Sequence, residues 1–219
     1  MSEKSYKTVI FDLDGTLIDS SPGILESFEG AFSALNIELQ RPLNSSIIGP
    51  PLFESLKLLS GLSDTSVLNK LAEHFKLYYD SEGYKKTIIY PGINTMLSDI
   101  SFLNRFNVYI ATNKRILPTT KILNFLNWDS LFDETYALDS FTPHLVSKGK
   151  LIAKILDDKN ISNKNVIYIG DREDDELAAK ENKIFFEMVS WGFDKKNKDK
   201  SKNNKVLSPH DLFKKITSL

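Results

Sequence analysis

Residues 8–16, Thr-Val-Ile-Phe-Asp-Leu-Asp-Gly-Thr, constrain the fold more than any other part of the chain. The run begins with β-branched and aromatic side chains, which is typical of a buried strand. Two aspartates, Asp12 and Asp14, follow these side chains, and Gly15 comes next and permits a sharp turn. Because side chains two residues apart in an extended chain point the same way, we predict that both carboxylates face one point beyond the strand.

The charges of these two aspartates limit what the site can do. Two ionised carboxylates about 4 Å apart repel by roughly 4 kcal/mol in an intermediate dielectric. Either one of them takes up a proton or a cation lies between them. Such a pair suits phosphoryl transfer, in which one carboxylate attacks phosphorus and the other transfers a proton. A surface turn rich in aspartate is the simpler alternative, and the rest of the sequence must decide between them.

The composition of the 219 residues excludes several other classes of protein. The hydrophobic share of 41% and the charged share of 26% are ordinary for a globular protein. The net charge of −1 gives no basic field that would attract nucleic acid or a membrane surface. The chain has no cysteine, which rules out disulfides and thiolate chemistry. Since no apolar stretch approaches about 18 residues and the first strand begins too early to follow a signal peptide, we expect a soluble cytoplasmic protein.

The hydrophobic pattern predicts an α/β fold. Apolar runs that are typical of strands follow the first one at residues 107–111, 134–138, 166–169 and 184–189. Amphipathic segments that predict helices occupy residues 93–105, 117–126, 148–156 and 174–182. Strands that alternate with helices indicate a Rossmann-like, mainly parallel sheet with helices on both faces.

Residues 19–88 break this alternation. They show helical periodicity and no convincing strand, and seventy residues are too many for one crossover connection. We therefore predict a small helical cap domain at 19–88, inserted into an α/β core domain formed by residues 1–18 and 89–219. A domain at this point would lie over the edge of the sheet as a lid, although it could also serve stability alone.

Polar residues follow three of the predicted strands. Asp12 and Asp14 come after the first strand, residues 112–114 (Thr-Asn-Lys) after the second, and residues 170–175 (Gly-Asp-Arg-Glu-Asp-Asp) after the fourth. Ligands of such sheets bind outside the carboxyl ends of the strands. The sequence therefore predicts a site at this edge of the sheet.

In combination, four short motifs resemble those of the haloacid dehalogenase superfamily, and the resemblance covers essentially the whole chain. The motifs are Asp-Leu-Asp-Gly-Thr at 12–16, Thr-Asn-Lys at 112–114, Ser-Lys-Gly at 147–149 and Gly-Asp-Arg-Glu-Asp-Asp at 170–175. Residues 48–52 and 191–193 further resemble the phosphoglycolate phosphatase-like branch, which has a small helical cap. The resemblance implies a hydrolase of the phosphatase type.

By this resemblance, Asp12 is the nucleophile that forms an aspartyl phosphate. Asp14 would protonate the leaving oxygen and later activate the water that hydrolyses the intermediate. The side chain of Thr112 and the backbone N–H of Asn113 would bind phosphoryl oxygens. Lys148 would place a positive charge against Asp12 and the transferring group. Lys150 is the alternative to Lys148, but the Ser-Lys-Gly pattern of the family favours Lys148, and we expect Lys150 to be an exposed helical residue. Lys114 either reaches the substrate phosphate or is a solvated lysine.

The resemblance also implies a metal site. Asp12, the backbone carbonyl of Asp14 and Asp171 would hold the ion, supported by an acid four residues after Asp171, which is Asp175. Asp174 is the alternative, and an acid at that point would equally suit the start of a helix. Oxygen donors without sulfur or clustered histidines favour Mg²⁺.

The function implied is hydrolysis of a small phosphorylated metabolite such as phosphoglycolate, a 5′-nucleotide, a sugar phosphate or pyrophosphate. A phosphomutase of the β-phosphoglucomutase type is the first alternative, because it would use the same core residues. A catalytically idle binding or regulatory protein is the second, although all four motifs are intact. The lysine- and asparagine-rich run at 194–205 is predicted to be a solvated loop rather than a nucleic-acid-binding patch. The oligomeric state stays open.

Overall fold

The computed structural model describes residues 7–193 and 205–218. Within these residues the chain forms eight strands: β1 (Thr8–Phe11), β2 (Ile18–Asp19), β3 (Ile88–Ile89), β4 (Asn107–Thr112), β5 (Glu134–Ala137), β6 (Val166–Gly170), β7 (Phe185–Val189) and β8 (Lys205–Val206). Six of them form one sheet in the order β5-β4-β1-β6-β7-β8, and every pairing in it is parallel. The first strand of the sequence therefore lies inside the sheet, between β4 and β6.

Eight α-helices accompany these strands in the described part of the chain. They are α1 (Ser21–Ala34), α2 (Leu52–Ser60), α3 (Thr65–Tyr79), α4 (Ile93–Leu103), α5 (Ile116–Leu126), α6 (Lys148–Asp158), α7 (Glu173–Glu181) and α8 (Pro209–Thr217). None of the helices described is long and apolar enough to cross a membrane.

Helices cover both faces of the six-stranded sheet. Along β1, Val9 and Phe11 join a buried cluster that includes residues of α4, α5 and α8. Ile10, which points the opposite way, joins a second cluster with residues of α6 and α7. This alternation explains why the first strand is apolar throughout, since both of its faces are buried. The predicted fold class is confirmed.

The boundaries of the predicted core elements are close to those observed, and the differences are local. For example, the strand predicted at 134–138 ends at Ala137, because Leu138 begins a short 3₁₀ turn. The two-residue strand β8 and the helix α8 were not predicted. A strand of two residues is too short to show periodicity, and most of the 194–205 run that precedes it lies outside the described residues.

The segment between β2 and β3 has its own apolar core. Buried side chains of α1, α2 and α3 form a cluster that includes Phe28, Leu56, Leu71 and Phe75. The two short strands pair antiparallel at its ends, with Ile18 opposite Ile89. The helices were predicted here, but the two strands were not. The division into a core of 1–18 and 89–219 and a cap of 19–88 stays a prediction.

Candidate active site

The carboxyl ends of three adjacent strands bring most of the predicted site residues to one edge of the sheet. Asp12 and Asp14 follow β1, Thr112 ends β4, and Asp171 follows β6. β1 pairs with both β4 and β6, so that Phe11 lies opposite Ile110 on one side and Ile169 on the other. The order of the strands therefore explains how residues more than 150 positions apart in the chain become neighbours.

Lys148 links two buried carboxylates. Its Nζ lies 3.1 Å from Oδ1 of Asp12 and 2.5 Å from Oδ1 of Asp175. Lys148 is the first residue of α6, which begins there because the Ser147 side chain accepts a hydrogen bond from the backbone N–H of Lys150. The side chain of Lys150 is exposed. The structure thus places Lys148 at the site and leaves Lys150 in solvent.

Asp175 is completely buried and fully hydrogen-bonded. Its Oδ2 accepts the backbone N–H groups of Asp171 and Arg172, at 3.2 and 3.1 Å, and its Oδ1 accepts the Tyr168 hydroxyl at 2.9 Å. The side chain of Asp174 is 46% exposed and lies 3.4 Å from Nε of Arg172. Of the two acids weighed from the sequence, only Asp175 therefore reaches the buried cluster.

Asp171 is buried with one oxygen unused. Its Oδ2 accepts the backbone N–H of Phe193 at 2.7 Å, whereas its Oδ1 has no hydrogen-bond partner among the residues that the structure describes. The carboxylate lies tightly against Gly15, where a Cβ atom would be 2.4 Å from Oδ2. Gly15 also has a positive φ of 86°, so both the turn and the close approach favour glycine there. A buried acceptor without a partner is costly unless a cation or donor completes it.

The carboxylates of Asp12, Asp171 and Asp175 form a group that fits a metal ion. One oxygen from each lies within 4.8 Å of the other two, and all three residues are buried. The side chain of Asp14 is not in this group, and the predicted metal contact of its backbone carbonyl stays a prediction. Hard oxygen donors, one of them unpartnered on Asp171, suit a cation such as Mg²⁺.

Asp14 is held by two polar partners. Its Oδ1 accepts the Ser20 hydroxyl at 2.5 Å, and its Oδ2 lies 3.0 Å from Nζ of Lys114. The ammonium of Lys114 also donates to the Tyr79 hydroxyl of α3 at 2.7 Å. Ser20 and Tyr79 were missed from the sequence because neither belongs to a motif, and Lys114 was left open. Asp14 and Asp12 thus have different partners.

Thr112 and Asn113 lie at the end of β4. The hydroxyl oxygen of Thr112 accepts the backbone N–H of Lys114 at 3.1 Å, so this oxygen has a local partner. The side-chain amide of Asn113 donates to the carbonyl of Gly49, 2.9 Å away in the segment between β2 and β3. Their predicted contacts with phosphoryl oxygens stay predictions. The three histidines, His74, His144 and His210, are all exposed.

Burial and charge shift the pKa values at this site. Burial raises the pKa of Asp12 well above its ordinary value, and Lys148 opposes that rise. Burial lowers the pKa of Lys148, but Asp12 and Asp175 outweigh it, so the net shift is upward and the ammonium stays charged. Burial and the charge of Asp175 raise the pKa of Asp171 from 3.8 to about 7. The cluster therefore carries more negative charge than Lys148 alone can stabilise.

This pKa shift predicts a pH-dependent stability for the metal-free protein. Because the pKa of Asp171 is higher in the folded than in the unfolded chain, unfolding releases a proton between about pH 4 and pH 7. The free energy of unfolding is expected to fall across this range as pH rises, by up to about 4 kcal/mol from this group. Urea unfolding in EDTA at pH 5 and pH 7.5 measures the fall. An Asp171→Asn variant with the same pH dependence as the parent would contradict the assignment.

The comparisons with known proteins decide the family. A model of the haloacid dehalogenase-like hydrolase family matches residues 9–189. The chain belongs to this family. The family resemblance inferred from the four motifs is thereby confirmed, and the match spans the strands from β1 to β7 together with the segment between β2 and β3.

Proteins that are similar to this chain carry different functional names. Tyrosine-protein kinase PtkA of Mycobacterium tuberculosis is 29% identical over 87% of this chain, which spans only 64% of PtkA. The phosphoglycolate phosphatase of Psychrobacter arcticus is 24% identical over 96% of this chain and 93% of its own. The crystal structure of a predicted phosphatase from Clostridium acetobutylicum superposes with a TM-score of 0.84, at 29% identity over 98% of this chain and all of that one. The fold and the phosphoglycolate phosphatase-like resemblance agree with the sequence analysis.

Proposed function

We propose that the chain is a Mg²⁺-dependent phosphatase that hydrolyses a small phosphorylated metabolite through an aspartyl phosphate on Asp12. The proposal rests on the surroundings of the Asp12 side chain. This buried carboxylate lies 3.1 Å from the Lys148 ammonium and also belongs to the group of three acids that fits a metal ion. An acid with a different set of partners, Asp14, lies two residues away.

Charge balance supports a divalent cation. Three buried carboxylates, Asp12, Asp171 and Asp175, form one group, and the Lys148 ammonium lies within ion-pair distance of Asp12 and Asp175. These four residues together carry a net charge of −2 when all are ionised. Asp14 does not change this balance, because it is paired with Lys114. When bound there, Mg²⁺ supplies positive charge that stabilises the phosphoryl oxygens and keeps the carboxylates ionised.

The reaction follows from the two aspartates. A carboxylate oxygen of Asp12 attacks phosphorus, the bond from phosphorus to the leaving oxygen breaks, and Asp14 gives that oxygen its proton. Asp14 then takes a proton from water, whose oxygen attacks the phosphorus of the aspartyl phosphate and restores Asp12. The Ser20 and Lys114 contacts hold Asp14 in one orientation for both steps. Lys148 stabilises the negative charge that gathers beside Asp12.

The segment between β2 and β3 supports a lid over this site. The Arg172 guanidinium donates to the carbonyl of Ile48 at 2.5 Å, and Asn113 donates to the carbonyl of Gly49. On the other side, Arg115 forms a two-pronged ion pair with Asp80. These contacts join the segment between β2 and β3 to the loops that follow β4 and β6. A closed lid would exclude water while Asp12 attacks phosphorus.

The proposal predicts phosphate release that depends on the metal. Across a panel of phosphoglycolate, 5′-nucleotides, sugar phosphates, simple alkyl phosphates and pyrophosphate, at least one substrate is expected to release inorganic phosphate with Mg²⁺. EDTA is expected to abolish the release, and added Mg²⁺ to restore it, because the three acids otherwise repel the phosphoryl group. Undiminished turnover after thorough chelation would contradict the metal requirement. A folded protein that releases no phosphate from any substrate would contradict the phosphatase and favour the phosphomutase or a binding protein.

A further inference from the structure

A small cavity opens beside Asp14 between the cap helices and the loop after β4. Its volume is about 70 Å³. Asp14 and Lys114 line one side, and the opposite wall is apolar, with Ile24, Phe28 and Phe75 among its residues. The cavity therefore extends from the proposed proton donor into the apolar core of the segment between β2 and β3.

The apolar wall is firmly packed. The ring centroids of Phe28 and Phe75 lie 4.6 Å apart, and those of Phe75 and Tyr79 lie 5.5 Å apart in a stacked arrangement. All three rings are buried. The Ser55 hydroxyl, which also lines the cavity, donates to the carbonyl of Ile47 at 3.1 Å. The Ser55 proton is thus already used, and the lining is mainly hydrocarbon. Asn113, whose side-chain oxygen has no hydrogen-bond partner among the described residues, also contributes to the lining.

The two cations that line the cavity, among the residues that the structure describes, are already paired. Lys114 contacts Asp14 at 3.0 Å and the Tyr79 hydroxyl at 2.7 Å. The Arg115 guanidinium donates two hydrogen bonds to the carboxylate of Asp80, at 2.9 and 2.5 Å. A second anionic group of a substrate would find no uncompensated positive charge here. Burying such a group without a partner is strongly unfavourable.

We infer that this cavity receives the leaving group and that the substrate is a monophosphate ester of a small, uncharged, largely apolar alcohol. The inference rests on the proposed function, because Asp14 can protonate only a leaving oxygen that lies beside it. The cavity has less than half of the roughly 150 Å³ that hold a benzene molecule in an apolar protein cavity. Its size therefore disfavours nucleosides, and its neutralised cations disfavour a carboxylate such as that of phosphoglycolate.

Three substrates test the inference directly. With Mg²⁺ present, kcat/KM for n-propyl phosphate is expected to exceed that for 2-phosphoglycolate and that for AMP by roughly tenfold or more. A preference for phosphoglycolate or AMP would overturn the inference and leave the phosphatase intact. A different result would contradict the proposed phosphatase activity itself, namely the absence of Mg²⁺-dependent phosphate release from all three substrates.

A variant at Asp80 tests the charge argument separately. Asp80→Asn removes the partner of Arg115, so the guanidinium becomes available to a substrate carboxylate. The ratio of kcat/KM for phosphoglycolate to that for n-propyl phosphate is expected to rise about tenfold. Both values come from one preparation, so partial unfolding of the variant cancels from the ratio. The exposed Asp99 provides the matched control, since Asp99→Asn makes the same charge change on α4 and is expected to leave the ratio unchanged. An unchanged ratio in Asp80→Asn would contradict the role given to the Asp80–Arg115 pair.

Discussion

Replacing Asp12 with asparagine is expected to lower kcat for phosphate release by roughly 10⁴-fold or more, the scale seen when an enzyme loses its nucleophile. The amide has nearly the shape of the carboxylate but a far weaker attacking oxygen, so no aspartyl phosphate can form. Stopped assays of inorganic phosphate with saturating Mg²⁺ and the best substrate of the panel measure the loss.

Asp174 supplies the matched control for this variant. Asp174→Asn makes the same chemical change at an acid whose side chain is 46% exposed and which lies outside the buried cluster. We expect it to keep kcat within a few-fold of the parent. If Asp12→Asn retained near-parental turnover, or if both variants lost activity equally, Asp12 would not be the nucleophile.

Replacing Lys148 with methionine is expected to have the second-largest effect. The ammonium lies 3.1 Å from Asp12 and 2.5 Å from Asp175, and it is the single cation within ion-pair distance of either acid among the described residues. Methionine keeps much of the side-chain volume and removes the charge. We expect kcat/KM to fall by about 10²- to 10³-fold, the usual range when one group that stabilises transition-state charge is lost.

The same variant has a consequence for stability that a purely catalytic role would not produce. Without the ammonium, Asp12 and Asp175 are buried with no opposite charge, which costs about 3–5 kcal/mol in comparable cases. Urea unfolding in EDTA is expected to show this loss. Lys150→Met, on an exposed side chain two residues away, is the control and should change neither rate nor stability by much. Equal behaviour of the two variants would contradict the position given to Lys148.

Much of the site could be predicted because its residues follow strands. Asp12, Asp14, Thr112 and Asp171 come directly after runs whose apolar pattern identifies them as buried strands, and a parallel sheet places such ends together. The family resemblance also implied Asp175 rather than Asp174, because the family pattern has a second acid four residues after the first. The observed burial agrees, since Asp175 is completely buried.

The residues that could not be predicted act through contacts that leave no pattern in the sequence. Ser20, just before α1, holds Asp14, and Tyr79, at the end of α3, holds Lys114. Their positions depend on how the segment between β2 and β3 packs. Tyr168 lies in β6, where the apolar pattern predicts an ordinary core residue. Its hydroxyl nevertheless donates a hydrogen bond to Asp175. Arg172 donates to the backbone carbonyl of Ile48. Because every residue type carries the same backbone carbonyl, the sequence cannot indicate which residue accepts this hydrogen bond.

The measurement that tests the central claim most directly is chemical trapping of the covalent intermediate. Borohydride reduces an aspartyl phosphate to homoserine, which peptide mass spectrometry locates in the chain. The Asp14→Asn variant, in which hydrolysis of the intermediate should be slow, is mixed with Mg²⁺ and acetyl phosphate and then reduced. We expect homoserine at position 12, and none when Mg²⁺ is replaced by EDTA. Homoserine at another aspartate, or none at position 12 while the parent protein releases phosphate, would contradict the mechanism.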